Sequence, residues 1–173
     1  MSLSDSDIEL PSDDDLSRLA EEVVLLGVSS GSLVGTAESC TGGLVAAALT
    51  SVSGSSATVR GGVVSYAIGV KHDVLGVSSD ILDTPGIGAV SSECAEAMAA
   101  GARLVLSCDV AVSVTGIAGP TGAEPNKPVG SVWFGIASVG STKSELHLFS
   151  GNRDQVRRKA TFVALTMLKD ALA

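Results

Sequence analysis

The apolar positions of the chain follow helical spacing in some segments and form short continuous runs in others. Helical spacing begins after Ser12, a residue that can cap a helix, and continues to the region of Gly31. Further helices are predicted over 42–51, 70–75, 91–106 and 154–172, and strands over 33–37, 61–66, 109–114, 129–138 and 143–149. Alternating strands and helices followed by a hairpin predict a three-layer α/β/α domain with a mixed sheet and helices on both faces.

The N-terminal residues do not share this pattern. Residues 1–11 are polar and acidic, so we expect a disordered or loosely attached tail followed by one domain over 12–173. The formal net charge is −8 at pH 7, but six of the 19 acidic residues lie within 5–15. Because the remaining chain is close to neutral, it lacks the basic surface that nucleic-acid binding requires, and we expect no nucleic-acid partner.

The cysteine and histidine positions give no metal-binding pattern. Cys40, Cys94 and Cys108 form no C-x-x-C pair and no zinc-type spacing with His72 or His147. We therefore expect reduced thiols, no metal and no cofactor. No apolar run approaches the roughly 18 to 20 residues of a membrane span, and no secretion signal is visible, so we expect no membrane association and a cytoplasmic location.

The segment from Thr36 to Gly43 is a polar turn at a predicted strand-to-helix junction. It carries Ser39, a hydroxyl that can act as a nucleophile. The first N–H groups of a helix have no partner within the helix, so they can donate to an anion. We therefore predict that backbone amides around Thr41, Gly42 and Gly43 stabilise the oxyanion of acyl transfer.

A second strand end is predicted to bring a base to this serine. Tyr66 ends the second strand, and Lys71 follows within one helical turn. A lysine removes a proton from a hydroxyl only if burial or nearby positive charge lowers its pKa. Walker A, dinucleotide-binding and G-x-S-x-G patterns are absent. The arrangement therefore predicts hydrolysis of an amide or ester without a metal.

Two further features complete the candidate site. Thr115–Pro120 is a second glycine-containing loop directly after a strand. Arg153, Arg157 and Arg158 lie near the start of the last helix, where positive charge opposes the helix dipole. A bound anion would explain these arginines better than helix stability does.

Each of these features also has an ordinary structural interpretation. Ser39 or Thr41 can simply cap the following helix, Lys71 can be a solvated charge, and Arg153 and Arg157 can pair with surface acids. A short motif alone favours such interpretations. The joint position of these residues at the ends of predicted elements favours a site.

The same residues carry a resemblance to a known family. The matching motifs, in chain order, are Thr36–Gly43, Gly54–Ser56, Tyr66 with Lys71, Leu75–Val77, Gly88–Ser91, Thr115–Pro120, Lys127–Gly130 with Val132–Trp133, and Gly151–Arg157. Over 16–172 the chain resembles the CinA C-terminal domain family, which includes nicotinamide mononucleotide deamidases. Many CinA proteins carry a separate N-terminal domain, and we expect this chain to be the stand-alone form.

The resemblance implies a specific reaction and specific roles. The expected enzyme hydrolyses the carboxamide of nicotinamide mononucleotide to nicotinate mononucleotide and ammonia, as in pyridine-nucleotide salvage. By similarity, Ser39 would be the nucleophile, Lys71 its base and Tyr66 a neighbouring active-site group. Pocket residues would include Thr115 and Gly116, and the phosphate would meet Arg157 together with Arg153. Family members commonly associate, so we expect a homodimer.

Two other functions remain open from the sequence. The first is a mononucleotide-binding or regulatory module in which no bond is broken. The second is an interaction protein connected with competence for DNA uptake or with DNA damage, as the family name suggests. Product formation from nicotinamide mononucleotide distinguishes the first from an enzyme, and salt-dependent DNA affinity would favour the second.

Overall fold

A computed structural model describes residues 8–173 of the chain. Within this range the α-helices are α1 (Asp13–Ser30), α2 (Leu44–Ser51), α3 (Ile68–Asp73), α4 (Ser79–Leu82), α5 (Ser92–Val105) and α6 (Arg153–Leu172). The strands are β1 (Val34–Glu38), β2 (Val59–Val64), β3 (Val110–Gly116), β4 (Ser131–Ser138) and β5 (Ser141–Leu148). A short 3₁₀ turn, Ser55–Ala57, precedes β2.

The five strands form one mixed sheet in the order β2-β1-β3-β4-β5. Strand β1 pairs in parallel with both β2 and β3, whereas β3–β4 and β4–β5 are antiparallel. Parallel strands point the same way, so β1, β2 and β3 finish at one edge of the sheet. The turns after these three strands therefore lie together, at the edge where open α/β sheets bind ligands.

Helices cover both faces of the sheet. On one face, α6 packs against β3 and β4, α2 packs against β1 and β2, and α1 packs on α6 and α2; Leu49, Phe134 and Leu165 are fully buried in this layer. On the other face, α5 packs against β1, β3 and β4 around Met98 and Val77. This arrangement confirms the predicted three-layer α/β/α fold with a mixed sheet.

Helix α1 begins at the predicted cap. The Ser12 hydroxyl accepts from the Asp15 amide, and the Asp15 carboxylate accepts from the Ser12 amide, which forms a capping box. Gly31 ends the helix in the left-handed conformation. The first boundary therefore follows from a capping side chain and the second from the backbone freedom of a glycine, and both residues are visible in the sequence.

The predicted N-terminal tail covers residues 1–11, of which the structure describes residues 8–11. Residues 1–7 lie outside the described part of the chain. Residues 8–11, in contrast, pack against the domain: Ile8 contacts the core of the α1/α6 face, and Arg158 donates to the Pro11 carbonyl. The prediction of a loose segment is therefore wrong for 8–11, because contacts with α6 hold it in place.

Two smaller differences concern local structure. The loop predicted over 80–90 contains the end of the short helix α4, which is capped by the Ser78 hydroxyl. The helix predicted from residue 42 starts at Leu44. Among residues 8–173, no helix combines the length and the apolar character that are needed to cross a membrane.

Candidate active site

Ser39 and the backbone of Ser65 lie side by side at the shared edge of the parallel strands. The Ser39 amide donates to the Val114 carbonyl at 2.9 Å, which ties the start of the turn to β3. The Ser65 amide donates to the Glu38 carbonyl at 2.8 Å, which ties the end of β2 to β1. Strand pairing therefore holds the serine next to the segment that leads into α3.

Lys71, on α3, reaches this serine from the neighbouring strand end. Its Nζ donates to Ser39 Oγ at 2.9 Å and to the Ser65 carbonyl at 2.6 Å. Only 1% of the Lys71 surface is exposed, whereas Ser39 is half-buried. The structure thus brings together the predicted nucleophile and the predicted base, although 32 positions separate them in the sequence.

The environment of Lys71 favours the neutral amine. Burial lowers the pKa of Lys71 below its ordinary value of 10.5, and the nearby thiols of Cys94 and Cys40 oppose this shift. No ion pair within residues 8–173 joins Lys71 to a carboxylate. A buried amine without an acidic partner is suited to accept a proton from a hydroxyl.

The cysteines near this pair are not suited to nucleophilic attack. Cys40, Cys94 and Cys108 are free and buried. Burial raises the pKa of Cys40 to about 12 and that of Cys94 to about 11, so both thiols stay protonated at neutral pH. Ser39 is the better-placed nucleophile of this turn, because its hydroxyl meets the Lys71 amine at 2.9 Å whereas the neighbouring Cys40 thiol is buried and protonated.

Glu38 caps helix α2, a role that the sequence analysis did not identify. Its carboxylate accepts from the amides of Gly43 at 2.9 Å, Val45 at 3.1 Å and Ala46 at 2.8 Å. The residue is 1% exposed, so these donors compensate a buried charge. Neither Ser39 nor Thr41 caps the helix. A carboxylate directly before the polar turn was the available signal, but its target cannot be derived from spacing.

This cap changes the prediction for the oxyanion. The Gly43 amide donates to Glu38, and the Gly42 amide donates to the Ser39 carbonyl at 3.1 Å. Thr41 is fully buried, and its hydroxyl has no partner among the described residues. This conformation therefore does not present the amides of Thr41, Gly42 and Gly43 to an oxyanion, because two of them are engaged and the third residue is inaccessible.

Arg157 binds the same turn from the opposite side. Its Nε donates to the Cys40 carbonyl at 3.1 Å and its Nη2 to the Thr41 carbonyl at 2.9 Å. Arg158 donates to the Pro11 carbonyl and pairs with Asp13. The arginines at the start of α6 thus have protein acceptors, so their presence does not require a bound anion, contrary to the interpretation from the helix dipole. Asn152 caps α6.

Arg153 and Tyr66 form an exposed pair beside the buried one. Arg153 donates through Nη2 to the Tyr66 hydroxyl at 3.2 Å and through Nη1 to the Gly119 carbonyl at 3.0 Å. Tyr66 is 63% exposed and makes no hydrogen bond to Ser39 or Lys71. Tyr66 is therefore placed to contact a ligand rather than to act as a partner of the lysine.

Thr115 and Gly116 have structural contacts at the end of β3. The Thr115 hydroxyl donates to the Ala89 carbonyl at 2.6 Å, which fastens the segment before α5. A Cβ at Gly116 would lie 2.6 Å from the Ser131 carbonyl oxygen, so only glycine fits against β4 here. Thr115 is 1% exposed. The two residues lie at the predicted edge, but the Thr115 hydroxyl is used within the protein.

An open cavity adjoins the exposed pair. Its volume is about 440 Å³, and it is lined by Ala118, Pro120, Val129, Gly151, Asn152, Arg153 and Asp154. Within residues 8–173, no group of three or more His, Cys, Asp or Glu side chains is arranged to hold a metal ion. The site therefore combines a buried Ser–Lys pair, an exposed Tyr–Arg pair and a neighbouring cavity.

Solved structures share this fold over nearly their whole length. The chain matches the competence/damage inducible protein CihA from Agrobacterium tumefaciens with a TM-score of 0.87 and 40% identity, covering 95% of this chain and 98% of that one. It matches the competence damage-inducible protein A (ComA) from Klebsiella pneumoniae with a TM-score of 0.86 and 36% identity, covering 91% and 96%.

Curated relatives carry a matching region within a longer protein. The CinA-like protein of Mycolicibacterium gilvum (strain PYR-GCK) is 49% identical over 145 residues, which cover 83% of this chain and 34% of the relative. The CinA-like protein of Anaeromyxobacter dehalogenans (strain 2CP-C) is 45% identical over 155 residues, covering 90% and 38%. The chain thus spans about a third of the length of these relatives. Since the CinA C-terminal domain profile matches residues 16–172, the chain belongs to the CinA C-terminal domain family.

Proposed function

We propose that the protein is an amidohydrolase that converts nicotinamide mononucleotide to nicotinate mononucleotide and ammonia. The observation that carries the proposal is the buried Lys71 amine 2.9 Å from Ser39 Oγ. A protein that only bound a nucleotide would have no need for this pair, because burying a lysine without an acidic partner is costly. The choice of substrate is supported by membership of the CinA C-terminal domain family, because the chain resembles the nicotinamide mononucleotide deamidases of that family.

The first half of the reaction forms an ester on Ser39. Neutral Lys71 keeps an N–H for the Ser65 carbonyl, and its lone pair accepts the Ser39 proton. Ser39 Oγ then attacks the carboxamide carbon to form a tetrahedral intermediate. The Lys71 ammonium stabilises this intermediate and gives its proton to the departing nitrogen. The C–N bond breaks, ammonia leaves and the acyl group stays on Ser39.

The second half regenerates the serine. Lys71, again neutral, accepts a proton from a water molecule, and the resulting hydroxide attacks the ester carbon. The C–O bond to Ser39 breaks, and the serine oxygen recovers its proton from Lys71. The sum is one amide and one water converted to one carboxylic acid and one ammonia, with no oxidant, reductant, metal or cofactor.

The exposed pair is assigned to substrate binding. Arg153 is exposed and lines the 440 Å³ cavity, whereas Arg157 is half-buried and binds carbonyls of the Ser39 turn. We therefore assign the phosphate to Arg153 in preference to Arg157. Tyr66 presents an exposed aromatic ring beside Arg153. A pyridinium ring is cationic and planar, and an aromatic face binds such a group favourably.

The test is product analysis with purified protein. Incubation with nicotinamide mononucleotide is expected to release nicotinate mononucleotide and ammonia in equal amounts, and the Ser39→Ala protein is expected to release neither above the uncatalysed rate. Saturable binding of the mononucleotide without product on long incubation would instead favour a binding module. Equal turnover by Ser39→Ala would reject the nucleophile.

A second substrate tests the phosphate assignment. Nicotinamide riboside has the same carboxamide but no phosphate. Wild-type protein is expected to prefer the mononucleotide in kcat/KM, and Arg153→Gln is expected to lose most of this preference by raising KM for the mononucleotide alone. If Arg157→Gln removed the preference and Arg153→Gln did not, the phosphate would belong to Arg157.

A further inference from the structure

The turn that carries Ser39 is held by two opposite charges, one on each side. Glu38 precedes the turn, yet its carboxylate binds the amides of Gly43, Val45 and Ala46, which follow it. Thr36 also donates to this carboxylate, at 3.3 Å. The turn is thereby closed into a ring, so Ser39 cannot shift relative to α2 unless charged hydrogen bonds break.

The second charge approaches from a different element. Arg157 of α6 donates to the carbonyls of Cys40 and Thr41, the two residues that follow the nucleophile. Carbonyls and amides of one turn are thus bound by a guanidinium and a carboxylate that are 119 positions apart by number and make no ion pair with each other. Besides its two backbone contacts, Arg157 lies 4.0 Å from the exposed Asp154 carboxylate.

The side chain that caps α2 does not belong to the residue directly before the helix. Residues that begin a helix are commonly capped by the Ser, Thr, Asp or Asn side chain that directly precedes them. In α2 that position is Gly43, at φ +99°, which offers no side chain. The cap is instead supplied by the neighbour of the nucleophile, so the stability of α2 and the position of Ser39 depend on one carboxylate.

We propose that Glu38 and Arg157 are positioning residues that together fix Ser39 Oγ at the Lys71 amine. This inference rests on the proposed amidohydrolase function. Neither side chain makes one of the hydrogen bonds of Ser39 Oγ or Lys71 Nζ that the structure shows; both bind the backbone of residues 40–46. Because a displacement of about 1 Å in a reacting group can cost about 10²-fold in rate, looser support is expected to lower kcat with little change in KM.

The test uses conservative substitutions in the full chain. Glu38→Gln keeps the size of the side chain but directs an NH₂ group at backbone donors, and Arg157→Gln removes both donors to the turn. Each is expected to lower kcat for nicotinamide mononucleotide by about 10²-fold, with KM within about 3-fold of wild type. Arg157→Gln leaves the α2 cap intact, so it carries the test alone if Glu38→Gln does not fold.

Two matched controls separate positioning from general damage. Glu96→Gln makes the same change in a carboxylate that accepts from Ser144, and Arg158→Gln removes an α6 arginine that binds Pro11 and Asp13. Both controls are expected to keep wild-type kcat. Circular dichroism and thermal unfolding confirm that each variant is folded.

A covalent probe of Ser39 tests the positioning roles of Glu38 and Arg157 even if nicotinamide mononucleotide is not the substrate. Labelling of Ser39 by a fluorophosphonate reports the reactivity of the hydroxyl and needs no nucleotide. The rate of labelling is expected to fall in Glu38→Gln and Arg157→Gln in proportion to kcat. If wild-type protein labels at Ser39 but releases no ammonia from the mononucleotide, the proposed substrate fails while the positioning roles are still measured.

The double variant gives the decisive comparison. If both charges act by holding one turn, the double variant Glu38→Gln with Arg157→Gln is expected to have about the same kcat as the less active of the two single variants. The second substitution then adds little, because the first has already released the turn. Multiplied losses would mean independent roles and would overturn the paired assignment. Folded single variants with labelling rates and kcat within 2-fold of wild type would overturn it as well.

Discussion

The two glycine-containing turns after β1 and β3 look alike in the sequence but differ in the structure. The β1 turn carries Ser39, which the buried Lys71 reaches at 2.9 Å. The β3 turn begins with Thr115, whose hydroxyl is bound by the Ala89 carbonyl, and with Gly116, where β4 leaves no room for a Cβ. Both follow parallel strands at the same edge.

The two turns differ in the burial and the hydrogen-bond partner of their polar side chain. In the β1 turn, the polar side chain is half-buried and meets the Lys71 amine, which has no acidic partner within residues 8–173. In the β3 turn, the polar side chain is buried and already satisfied by backbone. We therefore expect substitutions in the β1 site to reduce turnover, and substitutions in the β3 turn to reduce stability.

Lys71→Met is expected to have the largest effect. Methionine fills a similar volume but accepts no proton, so kcat should fall by about 10²- to 10⁴-fold, as is typical when a general base is lost. The free energy of unfolding at neutral pH should stay the same or rise, because methionine removes the cost of burying an ionisable amine. Steady-state kinetics and urea unfolding measure the two quantities. A folded Lys71→Met variant with near wild-type kcat would show that the β1 turn is no more important for turnover than the β3 turn.

The pH dependence of stability gives a second test of Lys71. Burial depresses the folded-state pKa of Lys71 below 10.5, so the unfolded chain binds more protons between the folded-state pKa and 10.5. Stability conferred by this site should therefore rise with pH across that window and be flat below it. The difference in unfolding free energy between wild type and Lys71→Met isolates this rise.

The pH dependence of kcat/KM should show the same folded-state pKa of Lys71. Only the neutral amine accepts the Ser39 proton, so kcat/KM should increase as pH rises through the folded-state pKa of Lys71 and then level off. A rate that is independent of pH across the window in which stability changes would contradict the role of Lys71 as base.

Gly116→Ala is expected to act mainly on stability. The new Cβ would lie 2.6 Å from the Ser131 carbonyl oxygen and 2.8 Å from the Val132 Cα, both of which are backbone atoms. Overpacking of this kind costs about 1–3 kcal/mol, which urea unfolding can measure. Gly69→Ala is the control, because its Cβ would come no closer than 3.9 Å to another residue. Unchanged stability in Gly116→Ala would show that β4 can move away.

Thr115→Val is expected to have the smallest effect. It removes the 2.6 Å hydrogen bond to the Ala89 carbonyl while keeping the branched shape, at a cost of about 0.5–1.5 kcal/mol. Thr50→Val, on the exposed side of α2, should change stability by less than about 0.5 kcal/mol. If Thr115→Val lowered kcat as strongly as Lys71→Met, the β3 turn would take part in the chemistry.

The fold was predictable from the sequence because its signals are local. The capping box at Ser12, the glycine at residue 31 and the apolar runs each specify one element by short-range chemistry. Ser39 and Lys71 were predictable as partners because both follow strands that end at one edge. The hydrogen bond between them could not be predicted without knowing the register in which β1 pairs with β2.

The remaining site contacts were not predictable because they join distant segments. Arg157 reaches the Thr41 carbonyl across 116 positions, and Arg153 reaches Tyr66 across 87. A charge pattern shows that these arginines need acceptors, but it does not distinguish a phosphate from a backbone carbonyl. Likewise, Glu38 was visible as a carboxylate, but the amides it would cap were not.

The most direct test of the central claim is detection of the acyl group on Ser39. Wild-type protein is mixed with nicotinamide mononucleotide, quenched in acid during turnover and digested for mass spectrometry, with the Ser39→Ala protein treated in parallel. We predict an adduct with the mass of the mononucleotide less ammonia on the peptide that contains Ser39, and neither adduct nor product with Ser39→Ala. Product formation by Ser39→Ala at the wild-type rate would contradict the role of Ser39 as the nucleophile.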